Sequence, residues 1–321
     1  MTTTDRPDRG GLGTSAKAFE VPDSAELREA RGGGPFVSRL QWRAPDGSTA
    51  TWESRQARKR GYIEVLADGV VRRIRARPAV AVRLIRCNAV AGLSFTIGGA
   101  LFTLGAVLAA VSSATPTTIN LVLLAGGFFF SLGGYASIVQ EVNSPRRLGA
   151  DGSLEQTRWR WWAYEPTRPG WVSAFVLFMG TLAFAVSLVD VFLSNLSLKQ
   201  ENHLIWAPEM IGCLLFLVSG HVAIVEICHG RFRLIPSSLG WWVVAINQLG
   251  SVLFFLSGLA AFIRPATGSV ISIGLVEWGT ALGAFCFSVA GVAQLFERPE
   301  SPAAVARAGN TGPVHHPAGS A

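Results

Sequence analysis

The sequence predicts an all-α transmembrane protein, a six-helix bundle built from three tandem parallel-repeat hairpins and preceded by a small cytoplasmic hairpin-and-helix segment. Three observations predict it. Half of the 321 residues are hydrophobic and only 15% are charged, too apolar a balance for an ordinary soluble chain of this size. The apolar residues gather in six runs, 88–111, 119–140, 171–192, 206–227, 241–263 and 275–296, each near the roughly 20 residues that a spanning helix needs. Every run also carries one pattern, Gly-x3-Phe-x2-small.

The pattern occurs as Gly98/Phe102/Gly105, Gly126/Phe130/Gly133, Gly180/Phe184/Ser187, Gly212/Phe216/Ser219, Gly250/Phe254/Ser257 and Gly283/Phe287/Ala290. Offsets of four and seven residues fall on one stripe of an α-helix, so each span presents a small, approachable surface with a ring set into it. This is a code for helix packing rather than for chemistry.

Residues 1–34 read as a disordered tail, polar in composition and closed by Gly32-Gly33-Gly34. Within it, Gly11 to Ala16 mimics a dinucleotide fingerprint, but no strand precedes it and no apolar helix follows, so it is set aside. Residues 35–87 read as a small basic juxtamembrane region. Its hairpin covers 36–54, with Leu40 and Trp42 on one arm, Ala44 to Ser48 as the turn and Trp52 on the other arm, too little for a catalytic domain. A basic helix is expected from Arg55, then a linker, and Pro78 suits the first turn of a helix running on into the first span.

Hairpin one then spans 88–140, a loop 141–170, hairpin two 171–227 and hairpin three 241–297, with a disordered tail expected over 298–321. The even-numbered spans align without gaps over Gly126–Gln140, Gly212–Glu226 and Gly283–Glu297, as Gly-x3-Phe-x2-small-Gly-x5-Gln/Glu, with second glycines at Gly134, Gly220 and Gly291. Spans three and five add Trp171 and Trp241, each nine residues before its repeat glycine. With Trp161, Trp162 and Tyr164 they make an aromatic belt. Because each hairpin starts and ends on one side, the three are parallel repeats about an axis along the membrane normal.

The net charge of +7 is unevenly placed. Arg72, Arg73, Arg75, Arg77, Arg83, Arg86, Arg146, Arg147, Arg158, Arg160, Arg168, Arg231, Arg233, Arg298 and Arg307 fall on one side, and only Lys199 and Arg264 on the other. Fifteen against two puts both termini in the cytoplasm of a multi-pass cell-membrane protein. The first twenty residues have no apolar core, so no signal peptide is expected. Anionic headgroups beside the arginines account for the basic excess, and no nucleic-acid partner is needed. The four cysteines, with no Cys-x-x-Cys spacing, read as small buried hydrophobes.

The two-helix unit, together with Trp161 to Pro166, Trp206 to Glu209 and Gly240 to Trp242, resembles the YrhK-like domain of small bacterial membrane proteins and their multi-hairpin relatives. The likeness covers about 88–297, with Ala89 standing in hairpin one where Trp171 and Trp241 stand in the others. It implies a membrane hairpin fold and no established activity, so it carries over no catalytic residue.

An ionisable side chain inside a span costs several kcal/mol unless it is paired or wet, which makes depth the criterion. Glu209 follows Pro208 in the first turn of span four, where the helix dipole favours a carboxylate, and Glu277 aligns with Trp206 at the outer interface. Asp190 closes span three, where the dipole disfavours an anion, and its repeat position makes Arg264 the expected ion-pair partner. A solute or ion site is the alternative there. His221, in span four, takes the position of Tyr135 and Val292 and reads as a hydrogen-bonded core histidine. His221, Glu226, Cys228 and His229 look like metal ligands, but their helical offsets do not converge.

Glu226 and Glu297 are expected to pair with arginines in exposed contacts, each worth about 1 kcal/mol or less. Asn88, Asn247, Gln248 and Gln294 are expected to hydrogen-bond between helices. No hydrolase elbow, zincin motif or phosphate loop occurs in a fitting context, so no catalytic residue, metal or cofactor is expected. The chain reads as a non-enzymatic scaffold or partner-binding membrane protein, with a second copy or another membrane protein left open as partner. Its alternative is a small-solute or ion transporter or channel with Asp190, Glu209 and Glu277 as an outer acidic mouth.

Overall fold

A computed structural model describes residues 18–112, 114–156 and 158–297. The expected tail over 298–321, the first half of its N-terminal counterpart, the Gly11–Ala16 stretch, Arg298 and Arg307 lie outside the described residues. Six helices are long and apolar enough to cross a membrane, as expected of a multi-pass membrane protein. Beside them stands a five-stranded sheet.

The sheet is an antiparallel meander of β1 (Glu26–Arg31), β2 (Arg39–Arg43), β3 (Thr49–Glu53), β4 (Tyr62–Ala67) and β5 (Val70–Arg75), paired in chain order. The hairpin expected over 36–54 is β2–β3, with Leu40 opposite Trp52 and Trp42 opposite Ala50. Two expectations are corrected. Residues 18–34 are ordered, because Phe19, 1% exposed, packs at 5.6 Å from Trp42 and 5.7 Å from Trp52, and β1 adds an edge strand. One aromatic ring in a polar stretch escapes an average over composition, yet it completes this small core. The expected linker after the basic helix is the β4–β5 hairpin, turned at Asp68-Gly69, both with positive φ. That dipeptide suits a two-residue hairpin turn.

Helix α1 (Ser54–Arg60) lies between β3 and β4 and is stopped by Gly61 at φ 66°, a left-handed conformation that glycine adopts freely. The long helices are α2 (Pro78–Val111), α3 (Pro116–Val142), α4 (Pro169–Asp190), α6 (Ala207–Ile227), α7 (Leu239–Ala260) and α8 (Ile273–Phe296). A short α5 (Leu198–Glu201) runs into α6 through a π turn, Asn202–Trp206. At 34 residues, α2 begins ten residues before the expected boundary at 88. Its length of about 51 Å exceeds the roughly 30 Å of hydrocarbon, so its first turns, with Arg83 and Arg86, can extend past that thickness toward α1.

Each long helix packs on its chain neighbours, and α8 returns to α2 to close a ring. The repeat glycines sit where paired helices approach. A Cβ on Gly98 would lie 2.7 Å from the Phe130 ring and 3.0 Å from the Gly126 carbonyl, and one on Gly126 would lie 2.8 Å from Phe102. Gly180 faces Phe216 and Gly212 faces Phe184 in the same reciprocal way, and Gly250 and Gly283 each face the other's carbonyl, at 2.8 and 3.0 Å. The second glycines do the equivalent work between pairs. Gly134 abuts Phe178, Gly220 abuts Gln248 and Gly291 abuts Thr96, and each partner stands two residues before the repeat glycine of its own helix.

Phe102, Phe130, Phe184, Phe216, Phe254 and Phe287 are buried together on the ring axis. Those of α3, α6 and α8 form a triangle, with ring centroids 6.3 Å apart for Phe130–Phe216, 5.5 Å for Phe130–Phe287 and 5.7 Å for Phe216–Phe287. Leu104, Phe128, Val186, Leu214, Leu249 and Phe285 are exposed on the outside, the face an apolar solvent would cover. His221 is on that exposed face, which corrects its assignment to the core: Gly212, Phe216, Ser219 and Gly220 define the inward stripe of α6, and His221 falls off it.

Candidate functional site

Helix α1 reads SRQARKR, with Ala57 its only apolar residue, yet Ser54, Ala57, Arg58 and Lys59 are all buried. It is inserted into one end of the helical ring. Arg58 Nη1 donates to Glu141 Oε2 at 2.5 Å and Glu226 Oε1 at 2.9 Å, while Nη2 donates to Glu226 Oε2 at 3.1 Å. Ser54 Oγ adds a bond to Glu226 Oε1 at 2.6 Å. Arg55 grips Glu297 with both Nε, at 2.9 Å, and Nη2, at 2.6 Å. Lys59 Nζ donates to Asn88 Oδ1 at 3.0 Å and Gln140 Oε1 at 2.7 Å.

The acceptors follow the repeat. Gln140, Glu226 and Glu297 are the last residues of the three aligned even spans, and each receives one basic side chain of α1. Space for the two arginines comes from Gly170 and Gly240, where a Cβ would overlap Arg58 in the first case and lie 3.1 Å from Arg55 Nε in the second. Asn88 stands at the matching position of α2, ten residues before its repeat glycine, and ties α2 to α8 through the carbonyls of Gln294 and Glu297. The expected arginine partners of Glu226 and Glu297 are thus present, but these contacts are buried and not exposed, with Glu226 at 2% and Glu297 at 4%. Buried charges of this kind stand only because they are paired and hydrogen-bonded.

Burial pulls Arg58 down, but the Glu141 and Glu226 carboxylates outweigh it and hold its pKa above the ordinary value. For Lys59 the pull of the Glu297 and Glu141 carboxylates is too weak to do the same. Burial first, then Arg58 and Arg55, lower it from 10.5 to about 7. The folded state therefore holds fewer protons than the unfolded chain between those two values, and Lys59 makes stability rise with pH from about 7 to about 10.5 and stay level below 7. In Lys59→Met the rise should flatten. Thermal unfolding of both proteins across this range checks it, and an unaltered slope would remove Lys59 as its source.

A second layer of charge surrounds the first. Arg168, ahead of α4, meets Glu141 at 3.1 Å and Glu165 at 3.0 Å, and Arg146 pairs with Glu165. Burial, then Arg168 and Arg160, lower Arg146 to about 10. The sheet is also fastened at the α6–α7 turn, where His229 Nδ1 lies 3.0 Å from Ser38 Oγ and Nε2 lies 3.6 Å from Glu53, whose pKa His229 lowers.

Between α1 and the phenylalanine layer lies a cavity of about 100 Å3. Arg55, Arg58 and Lys59 roof it with Gln140 and the Arg58-paired Glu141, Ser137, Ser173, Ser219, Asn247, Ser251 and Gln294 line its walls, and Phe95, Phe216 and Phe287 floor it.

The residues expected to form an outer site lie elsewhere. Asp190, Glu209 and Glu277 are half-exposed, and none lines the axial cavity. No ion pair joins Asp190 to Arg264 among the described residues. The α7 helix ends at Ala260, and Arg264 is carried off on a two-residue strand, Ile263–Arg264, where it donates to Ser269 Oγ at 3.2 Å and to the Val270 carbonyl at 3.4 Å. The metal-like quartet also disperses: Glu226 turns to Arg58, His229 to Ser38, Cys228 Sγ to the Arg233 carbonyl, and His221 outward. No protein-family model matches the chain, and neither a curated protein nor a solved structure does.

Proposed function

We propose that this protein is a non-enzymatic membrane scaffold, whose ring of six helices anchors the five-stranded domain at the cytoplasmic face and holds it by the inserted helix α1. One observation carries the reading: three matching positions, Gln140, Glu226 and Glu297, each bind one basic residue of a single helix from the domain. The recurrence of the glycine and phenylalanine contacts around the ring supports an origin in three tandem two-helix repeats, which would make them multi-hairpin relatives of the YrhK-like domains they resemble. A transporter is the weaker reading. Six interlocked phenylalanine rings fill the axis, and Asp190, Glu209 and Glu277 do not converge on the axial cavity.

The test is permeability of the whole protein in vesicles. Proton, chloride and small-cation flux should match that of protein-free vesicles, and flux above that level would favour the transporter instead. Orientation has its own test, drawn from the arginine asymmetry. Single cysteines at Ser197 or Thr267, in a cysteine-free background, should react with an impermeant thiol reagent applied outside intact cells. Cysteines at Ser153 or Ser237 should not. Outside labelling at Ser153 would invert the topology and place the sheet domain on the other face.

A further inference from the structure

Lys59 is the buried cation of α1 that has no carboxylate of its own. Glu226 is held by Arg58, Glu297 by Arg55, and Glu141 by Arg58 and Arg168, whereas Lys59, 5% exposed, donates only to the neutral oxygens of Asn88 and Gln140. An ammonium has three hydrogens to give, so one is left. The amide nitrogen of Gln294, a residue 94% buried by its 6% exposure, has no hydrogen-bond partner. Both residues line the axial cavity, whose opposite wall is the apolar surface of Phe95, Phe216 and Phe287. A buried cation with no carboxylate bonded to it and a buried donor without an acceptor are each costly alone. Here they border one space.

We propose that the axial cavity binds a small monovalent anion, of the size of chloride or a short-chain carboxylate, with Lys59 and Gln294 as its donors and the phenylalanine floor against its apolar side. At about 100 Å3 the cavity has room for several waters or one such ion, and none for a drug-sized ligand. The serine hydroxyls of the wall donate to carbonyls, as Ser137 does to Gly133 at 2.9 Å and Ser251 to Asn247 at 3.0 Å, so the donors left for a ligand are those of the amides and of Lys59, with Lys59 and Gln294 the buried ones. Bound there, the anion would supply the charge that the repeat position Gln140 lacks relative to Glu226 and Glu297. It would thereby tie α1 more firmly to the ring, a property additional to the scaffold reading and independent of whether any ion crosses the membrane.

The charged and titratable groups facing Lys59 are Arg55 and Arg58 on its own helix, Glu141 from α3, Glu297 after α8 and Cys87 from α2. Affinity should fall as pH rises through the deprotonation of Lys59 near 7.

Thermal unfolding of the full-length protein in detergent, titrated with sodium chloride, acetate, propionate or gluconate at matched ionic strength, tests the proposal. Chloride or the short carboxylates should raise Tm saturably, by a few degrees, and gluconate, too large for the cavity, should not. The relative response to chloride and to acetate or propionate distinguishes an inorganic from an organic occupant. The saturable shift should shrink between pH 6 and pH 9. It should vanish in Gln294→Leu, which breaks no hydrogen bond of that amide nitrogen, and in Ala174→Leu, which fills the cavity from its wall. An equal response to all four salts would mean screening and overturn the site, as would the lack of any saturable response. A saturable shift that survives both substitutions would overturn it too. Neither result bears on the flux measurement, so the two readings fail separately.

Discussion

Arg58→Met is expected to lower stability by about 3–5 kcal/mol, the cost of leaving a buried carboxylate without its cation. Arg58 lies between Glu141, at 2.5 Å, and Glu226, at 2.9 and 3.1 Å, with all three side chains inside the protein. The two carboxylates are not equally exposed to the loss. Glu141 retains Arg168 at 3.1 Å, whereas Glu226 retains only the Ser54 hydroxyl at 2.6 Å. Adding Glu226→Gln to Arg58→Met should therefore recover much of the stability, since the remaining amide carries no charge. Arg58→Lys should be intermediate, because an ammonium cannot span two carboxylates as a guanidinium does. The measurements are Tm and the rate at which protease cuts between β1 and β5. Unchanged Tm and protease resistance in Arg58→Met would show that the insertion of α1 is not what holds the domain.

Gly212→Leu should be as damaging, by a different route. Even the Cβ of the new residue would overlap the Phe184 ring and lie 3.1 Å from the Gly180 carbonyl oxygen, and one of those neighbours is backbone. The α4–α6 pair must then separate, and because lipid is as apolar as the displaced side chains, nothing in the membrane compensates the lost packing. Overpacking of this kind costs about 1–3 kcal/mol where neighbours can yield, and more where backbone stands in the way. Leu214→Ala, two residues on and facing outward, shortens a side chain that packs on the outside of the ring and should cost less. Thermal unfolding in detergent compares the two. Equal Tm values would detach the glycine stripe from helix contact.

The helical ring was legible because its code is local. Glycine, phenylalanine and a small residue at offsets of four and seven define an inward stripe with no knowledge of what it faces. The plug was not legible, because its partners lie far apart in the chain. Arg58 and Glu226 are separated by 168 residues and Arg55 and Glu297 by 242, and SRQARKR taken alone reads as a solvated surface helix. A signal was present in the terminal Gln/Glu of the aligned even spans, since a polar residue kept at one repeat position asks for a common partner. The sheet was half visible. Trp42 and Trp52 announced β2 and β3, but in β5 the exposed VVRRIR lacks alternation, and only Asp68-Gly69 marked its turn. Aligning the apolar runs failed for Asp190 and Arg264 because the shared pattern lies inside the helices, and Arg264 lies beyond the end of one.

A single helix held at Gln140, Glu226 and Glu297 has no threefold symmetry of its own. Were those three positions and their surroundings identical, α1 could dock in three indistinguishable rotations, and the sheet above it would point three ways. The positions that meet it differ, however: Gln140 with Asn88, Glu226 with Gly170, and Glu297 with Gly240. Only one rotation brings the lysine to the uncharged pair and the arginines to the two carboxylates with glycine beside them. The sheet domain accordingly has one compass bearing about the membrane normal, and any surface it presents is always turned toward the same flank of the ring.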